Sequence, residues 1–157
     1  MNGKIVAVFL VISGLVAGGA IYWLQLHAFY KPIAVSSPQA AISLTTVTGV
    51  TEPLLMAGFT GIDADSSPLR FRGCFTTPTS LATLTETYVT YADATPLIAP
   101  PWFDCFDAAT LTDDLATGAA VAFLGQVNIH PGVDRVVMVY PDGRAFAWNQ
   151  LSKAQDN

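Results

Sequence analysis

The sequence predicts an α+β protein: one N-terminal transmembrane helix followed by a small domain with an antiparallel sheet and a C-terminal β-hairpin. Three observations carry this. Ile5 to Leu26 is an almost unbroken apolar run. Short segments rich in Thr, Val and aromatic residues alternate downstream, as half-buried strands do. Pro141-Asp142-Gly143 separates two apolar runs, a strong signal for a tight turn between antiparallel strands.

The 22 residues of the apolar run would form a helix of about 33 Å at a rise of 1.5 Å per residue, enough for a hydrocarbon core of about 30 Å. Ser13 and Gln25 are its only strongly polar side chains, and Gln25 would sit at the interface. A cleaved signal peptide is the competing reading, since Ala17-Gly18-Gly19-Ala20 offers small residues for a peptidase. Against it, Ile21-Tyr22-Trp23-Leu24 carries the apolar stretch past that point, and only Lys4 precedes the run. The anchor is therefore expected to remain, with the lipid bilayer as its first partner. After Lys31 the next basic residue is Arg70, so little holds the downstream flank in the cytoplasm. The N-terminus is expected inside and the C-terminal domain outside. Gly14 and Gly18, with Ala17 and Gly19 beside them, form a strip of small residues on which another helix could pack.

Residues 1–30 read as the anchor, 31–41 as a tether with two prolines, and 42–157 as one exported domain. Residues 32–157 carry five basic and twelve acidic side chains, a net charge of −7, which argues against nucleic acid. Apolar content is high enough for a packed core. Cys74 and Cys105 are the only cysteines, and an even count in an exported domain of this size points to a disulfide. A Cys-x-x-Cys redox motif is absent from the sequence.

Within the domain, Ile42 to Val50 reads as a strand. Leu69 to Phe75 alternates, with Leu69, Phe71, Gly73 and Phe75 on one side and Arg70, Arg72 and Cys74 on an outer, partner-facing side. Ser80 to Tyr91 reads as a helix entered after Pro78 and passing into a strand. Asp107 to Thr117 is a helix capped by Asp107 and stopped by Gly118. Ala119 to Ile129 is a strand or short helix, and Arg135 to Tyr140 pairs with Arg144 to Trp148.

Chemistry-bearing motifs are sparse. Asp63-Ala-Asp65-Ser-Ser67 opens like a calcium loop but has Pro68 where the loop needs glycine and Cys74 where it needs a bidentate carboxylate, so a turn is expected. His130, beside Pro131-Gly132, reads as a loop histidine, and no catalytic residue, cofactor site or metal site is expected. Pro100-Pro-Trp-Phe-Asp-Cys-Phe106 groups aromatics around one cysteine. If Cys105 joins Cys74, then Arg70, Arg72, Trp102 and Phe103 form a basic and aromatic partner-binding patch; the competing reading makes these aromatics core.

Gly3-Lys-Ile, Ala17-Gly-Gly-Ala-Ile-Tyr22, Arg70-Phe-Arg-Gly-Cys-Phe75, Trp102-Phe-Asp-Cys-Phe-Asp-Ala108, and Asp134-Arg-Val-Val with Tyr140-Pro-Asp-Gly-Arg144 carry a resemblance over most of the chain. The chain resembles an uncharacterised family of short single-pass membrane proteins from alphaproteobacteria. The resemblance implies a bacterial inner-membrane location and brings no catalytic residues; with the orientation expected from the flanking charges, the domain would lie in the periplasm. The expected function is that of an interaction or accessory-subunit protein of a membrane complex, or one that self-associates, without catalysis of its own. The rival is a small periplasmic enzyme or metal-delivery protein using His130 with Cys74 and Cys105.

Overall fold

The computed structural model describes residues 2–153, and the chain divides into two compact units between Tyr30 and Lys31. In the first unit, helix α1 (Gly3–Trp23) runs into a π-helical turn, Leu24–Ala28. Together they make a helical segment long and apolar enough to cross a membrane, with a mean hydropathy of 2.4 in its most apolar window. A Cβ added at Gly14 or Gly18 would meet nothing within 4 Å, so the small-residue strip is open.

The second unit is built on a six-stranded sheet in the order β1-β4-β5-β8-β7-β6, every neighbouring pair antiparallel. Its strands are β1 (Lys31–Pro32), β4 (Ala57–Asp63), β5 (Arg72–Thr76), β6 (Val121–His130), β7 (Val133–Val139) and β8 (Arg144–Leu151). A separate two-stranded ribbon pairs β2 (Ser43–Thr45) with β3 (Thr51–Pro53). Among the described residues the domain's α-helices are α2 (Leu81–Thr87) and α3 (Ala108–Thr117).

Local chemistry accounts for most boundaries. The Ser80 hydroxyl accepts the amide of Thr83 to start α2, and Asp107 accepts the amides of Ala109 and Thr110 to start α3. Gly118, at φ 76°, ends α3 in the left-handed conformation that glycine adopts without a Cβ penalty. After α2 the chain does pass into extended pairing, through single bridges from Tyr88 to Thr46 and from Thr90 to Phe123. The segment Ile42 to Val50 differs from the single strand expected. The Thr46 hydroxyl accepts the amide of Val50 and Gly49 takes φ 84°, folding the segment into a hairpin turn.

The sheet is covered on both faces. Phe75, Phe123, Val137, Val139, Ala145 and Ala147 face Ile42, Leu44 and Leu54 around the ribbon and Leu84 of α2. On the other face Cys74, Phe146 and Trp148 meet the segment that leads into α3, where the Phe106 ring packs edge-on against Phe146 and Trp148. The central strands β5 and β7 are consequently buried along nearly their whole length. Two placements differ from expectation. Arg70 lies in a 3-10 turn, Pro68–Arg70, ahead of the strand, and Arg72 is internal rather than outward-facing. The segment 31–41, read as a tether, is also tied in: Lys31 and Pro32 pair with Asp63 and Ile62, and Ala40 is buried.

Candidate functional site

Two constructions stand out, one on each side of the sheet. The first is the loop between Tyr91 and α3. Cys105 is bonded to Cys74 of β5, with a Cα–Cα separation of 6.3 Å. Arg72, only 3% exposed, donates from Nε to the carbonyl of Leu97 at 2.8 Å and from Nη2 to that of Ile98 at 3.1 Å. Its Nη1 donates to the carbonyls of Leu69 and Phe71. Gln150 adds a third tie, donating to the carbonyl of Asp93 and accepting the amide of Thr95. Arg72 thus serves as an internal brace, because the loop that it holds is what covers its face of the sheet. Phe103 is buried beside Phe106. What the braced loop turns outward is Ile98, 83% exposed, and Trp102, 37% exposed. The expected patch is therefore reordered: Arg72 and Phe103 are internal, Arg70 is half-buried, and Trp102 reaches the surface.

The second construction is a cleft of about 680 Å³ at the end of the opposite face, where the apolar core gives way to polar side chains. It arises from strand register. Arg135 pairs with Asn149 on β8 and with Gln126 on β6, and Asp63 ends β4, so polar side chains from four strands come to one edge of the core. The Arg135 guanidinium lies 3.6 Å above the centre of the Phe71 ring, a cation–π stack. Its Nε donates to Asn149 Oδ1 at 3.0 Å, and Asn149 Nδ2 donates in turn to the carbonyl of Pro68. Burial pulls the Arg135 pKa down to about 10, with the Asp63 charge opposing that shift. Burial likewise raises the Asp63 carboxyl above the usual carboxylate range, while the Ala64 amide and the charge of Arg135 counter it. Gly125 leaves room for the arginine: a Cβ there would come within 2.9 Å of the Arg135 carbonyl oxygen and 3.1 Å of its Cγ.

His130 and Asp65 line this cleft too, and Lys31 pairs with Asp65. Asp63 to Ser67 forms the turn expected, with Ser67 capping the next 3-10 turn. His130 does not come together with the cysteines: both sulfurs are spent in a disulfide and provide no thiolate, and Cys74 points to the face opposite Arg135. Among the described residues no group of three or more His, Cys, Asp or Glu side chains could hold a metal ion. Sequence reading missed Arg135, Asn149 and Gln126 as site residues. They lie in unremarkable strands, and only pairing brings them to Asp63.

The fold and these constructions define a class: a disulfide-bonded α+β domain behind a helix able to span a membrane. Residues 42–157 match a family of unknown function, DUF6446, and the chain belongs to that family. No curated protein and no solved structure matches the chain.

Proposed function

We propose that this chain is a single-pass protein of a bacterial inner membrane, with its N-terminus in the cytoplasm and its domain in the periplasm. There it binds another protein as an accessory subunit of a membrane complex, without catalysis of its own. The observation that carries this reading is the braced loop. A disulfide, an arginine and a glutamine fix a segment whose outward side chains include an almost fully exposed isoleucine and a tryptophan. Displaying apolar side chains on rigid backbone lowers the ordering cost of association, and aromatic anchors commonly dominate binding energy. Arg70 and Trp102 remain candidates for the contact, joined by Ile98, while the open Gly14 and Gly18 strip offers a contact within the membrane. The metal-delivery alternative loses support because its two cysteine ligands are joined to each other.

Purification in mild detergent with identification of co-purifying proteins tests the reading. The wild type should bring down a membrane-protein partner in constant ratio. The double variant Ile98→Asp, Trp102→Ala should lose it while still folding, as a single cooperative melting transition shows. Retention of the partner by that variant would move the contact away from the loop.

A further inference from the structure

The Arg135 cleft holds an arginine with one side spoken for. The flat face of its guanidinium rests on the Phe71 ring and its Nε is used by Asn149, yet among the described residues no hydrogen bond occupies Nη1 or Nη2. Those two nitrogens are not sealed off either, for Arg135 lines the cleft and neither atom is among the buried polar atoms without partners. The residue as a whole is nevertheless 93% buried, being 7% exposed. A charge so placed has lost most of its hydration and gains most from an anion that approaches end-on, with both oxygens on the guanidinium fork. Asp63 lies on the same cleft and feels the Arg135 charge, but the two form no direct ion pair. A gap thus separates a fixed cation from a carboxylate.

From this geometry we infer that the cleft binds a small zwitterion of the α-amino-acid type, its carboxylate on Arg135 and its ammonium on Asp63. An apolar side chain would rest on Pro68, Ile129 and Pro131, which line the same space. The volume lies in the range of small-molecule sites. Two features select against phosphate. Asp63 and Asp65 would repel a dianion, and Asp65 is only partly offset by its pair with Lys31. A plain carboxylate satisfies Arg135 but leaves Asp63 without a counter-charge. The zwitterion answers both, and it needs no movement of the arginine, which Phe71 and Asn149 already orient.

The test uses the full-length chain in mild detergent, titrated separately with leucine, acetate and inorganic phosphate while the arginine side-chain NMR signals are followed. Leucine should saturate a shift of the Arg135 signal with a Kd below about 1 mM, and acetate should bind at least about tenfold more weakly. Asp63→Asn should weaken leucine by about tenfold or more and leave acetate no weaker. Arg135→Gln, followed through the backbone amide signals of the cleft because its own arginine signal is gone, should show no response to leucine or acetate; should that variant not fold, the Asp63→Asn result and the leucine-to-acetate ratio still decide. No response of folded wild type to leucine at about 10 mM, equal affinity for leucine in Asp63→Asn and wild type, or tighter binding of phosphate than leucine would each overturn the assignment.

Discussion

Arg72 on β5 and Leu97 in the loop before α3, 25 positions apart, are joined by a 2.8 Å hydrogen bond from Nε to the backbone carbonyl. With the bonds to Ile98, Leu69 and Phe71, this makes the side chain part of the core's wiring. Replacing it by Met keeps the volume but strips several buried carbonyls of their donor. Each lost charged hydrogen bond is worth about 1.5–3 kcal/mol, and Arg72→Met should cost about 2–5 kcal/mol in chemical denaturation. Amide exchange should speed up around Leu97 and Ile98 and not in β7. Arg72→Glu should prevent folding, because it turns a buried carboxylate toward carbonyl oxygens. A normal melting curve for Arg72→Glu would place the side chain outside.

The bond between Cys74 and Cys105 spans a sequence separation of 31. Closing a loop of that size removes entropy from the unfolded chain worth roughly 3–4 kcal/mol. Substituting both cysteines by serine should lower stability by about that amount, in protein made in an oxidising compartment. Peptide mapping without reductant should recover the two cysteines linked. Recovery of both as free thiols from native material would refute the bond.

The parts of the fold that were legible in the sequence are those fixed by neighbours in the chain. The apolar run gives the helix, Asp107 and Gly118 bound α3, and Pro141-Asp142-Gly143 sets the turn between β7 and β8. Arg72 shows the limit. Alternation correctly separates it from Phe71 and Phe75, but it cannot say that a second layer covers the arginine's side. That layer is an irregular loop with no period of its own. The cleft is illegible for a related reason: Asp63, Asn149, Arg135 and Gln126 come from four strands, and their meeting depends on registers set by the whole sheet. The strand β4 was also missed, since Gly58 and Gly61 weaken its β signal. Gly61 and Gly73 are needed because the Phe59 ring lies where their side chains would be, within 3 Å of an added Cβ at either.

Topology can be read with reporters. Lys4 stands before the apolar helix, and only Lys31 follows it closely, which is the charge bias behind the proposed cytoplasmic N-terminus. Alkaline phosphatase fused after Asn157 should be active in a bacterial host, and a cytoplasmic reporter at the same point should be silent. The inverse pattern would reverse the orientation.

Tyr140 and Tyr91 should ionise late. Each is raised to about 12, chiefly by burial, then by its partner: Tyr140 donates to Asp114, and Tyr91 to Asp134 at 3.1 Å. A tyrosine whose folded pKa exceeds its unfolded value of 10.0 lends stability that is complete below pH 10 and is lost as pH rises toward 12. Arg135 works against this over the same window, because its depressed pKa makes the folded state better matched to higher pH. Comparing variants therefore separates the contributions. The tyrosinate absorbance present in the wild type and missing from Tyr140→Phe should have a midpoint near 12. A midpoint at the ordinary tyrosine value would show that Tyr140 is solvated.

Asp63 offers a sharper contrast between stability and binding. Burial holds its pKa above 3.8, so the folded state carries an ionised carboxylate less comfortably than the unfolded chain does. The penalty is present above the folded pKa and disappears as pH falls below 3.8. Asp63→Asn removes the charge, keeps the shape, and retains an oxygen able to accept the Ala64 amide at the present 2.8 Å contact. It should therefore raise Tm near neutral pH, with the gain fading in acid. A residue chosen only for the fold would not be expected to carry that penalty. One kept to meet an ammonium group would, since a ligand returns the lost solvation. Melting curves of Asp63→Asn and wild type, each with and without leucine, decide the matter. The variant should start higher and gain less from leucine than the wild type does. A variant that starts lower would make Asp63 a structural carboxylate, and equal gains would remove it from the binding site.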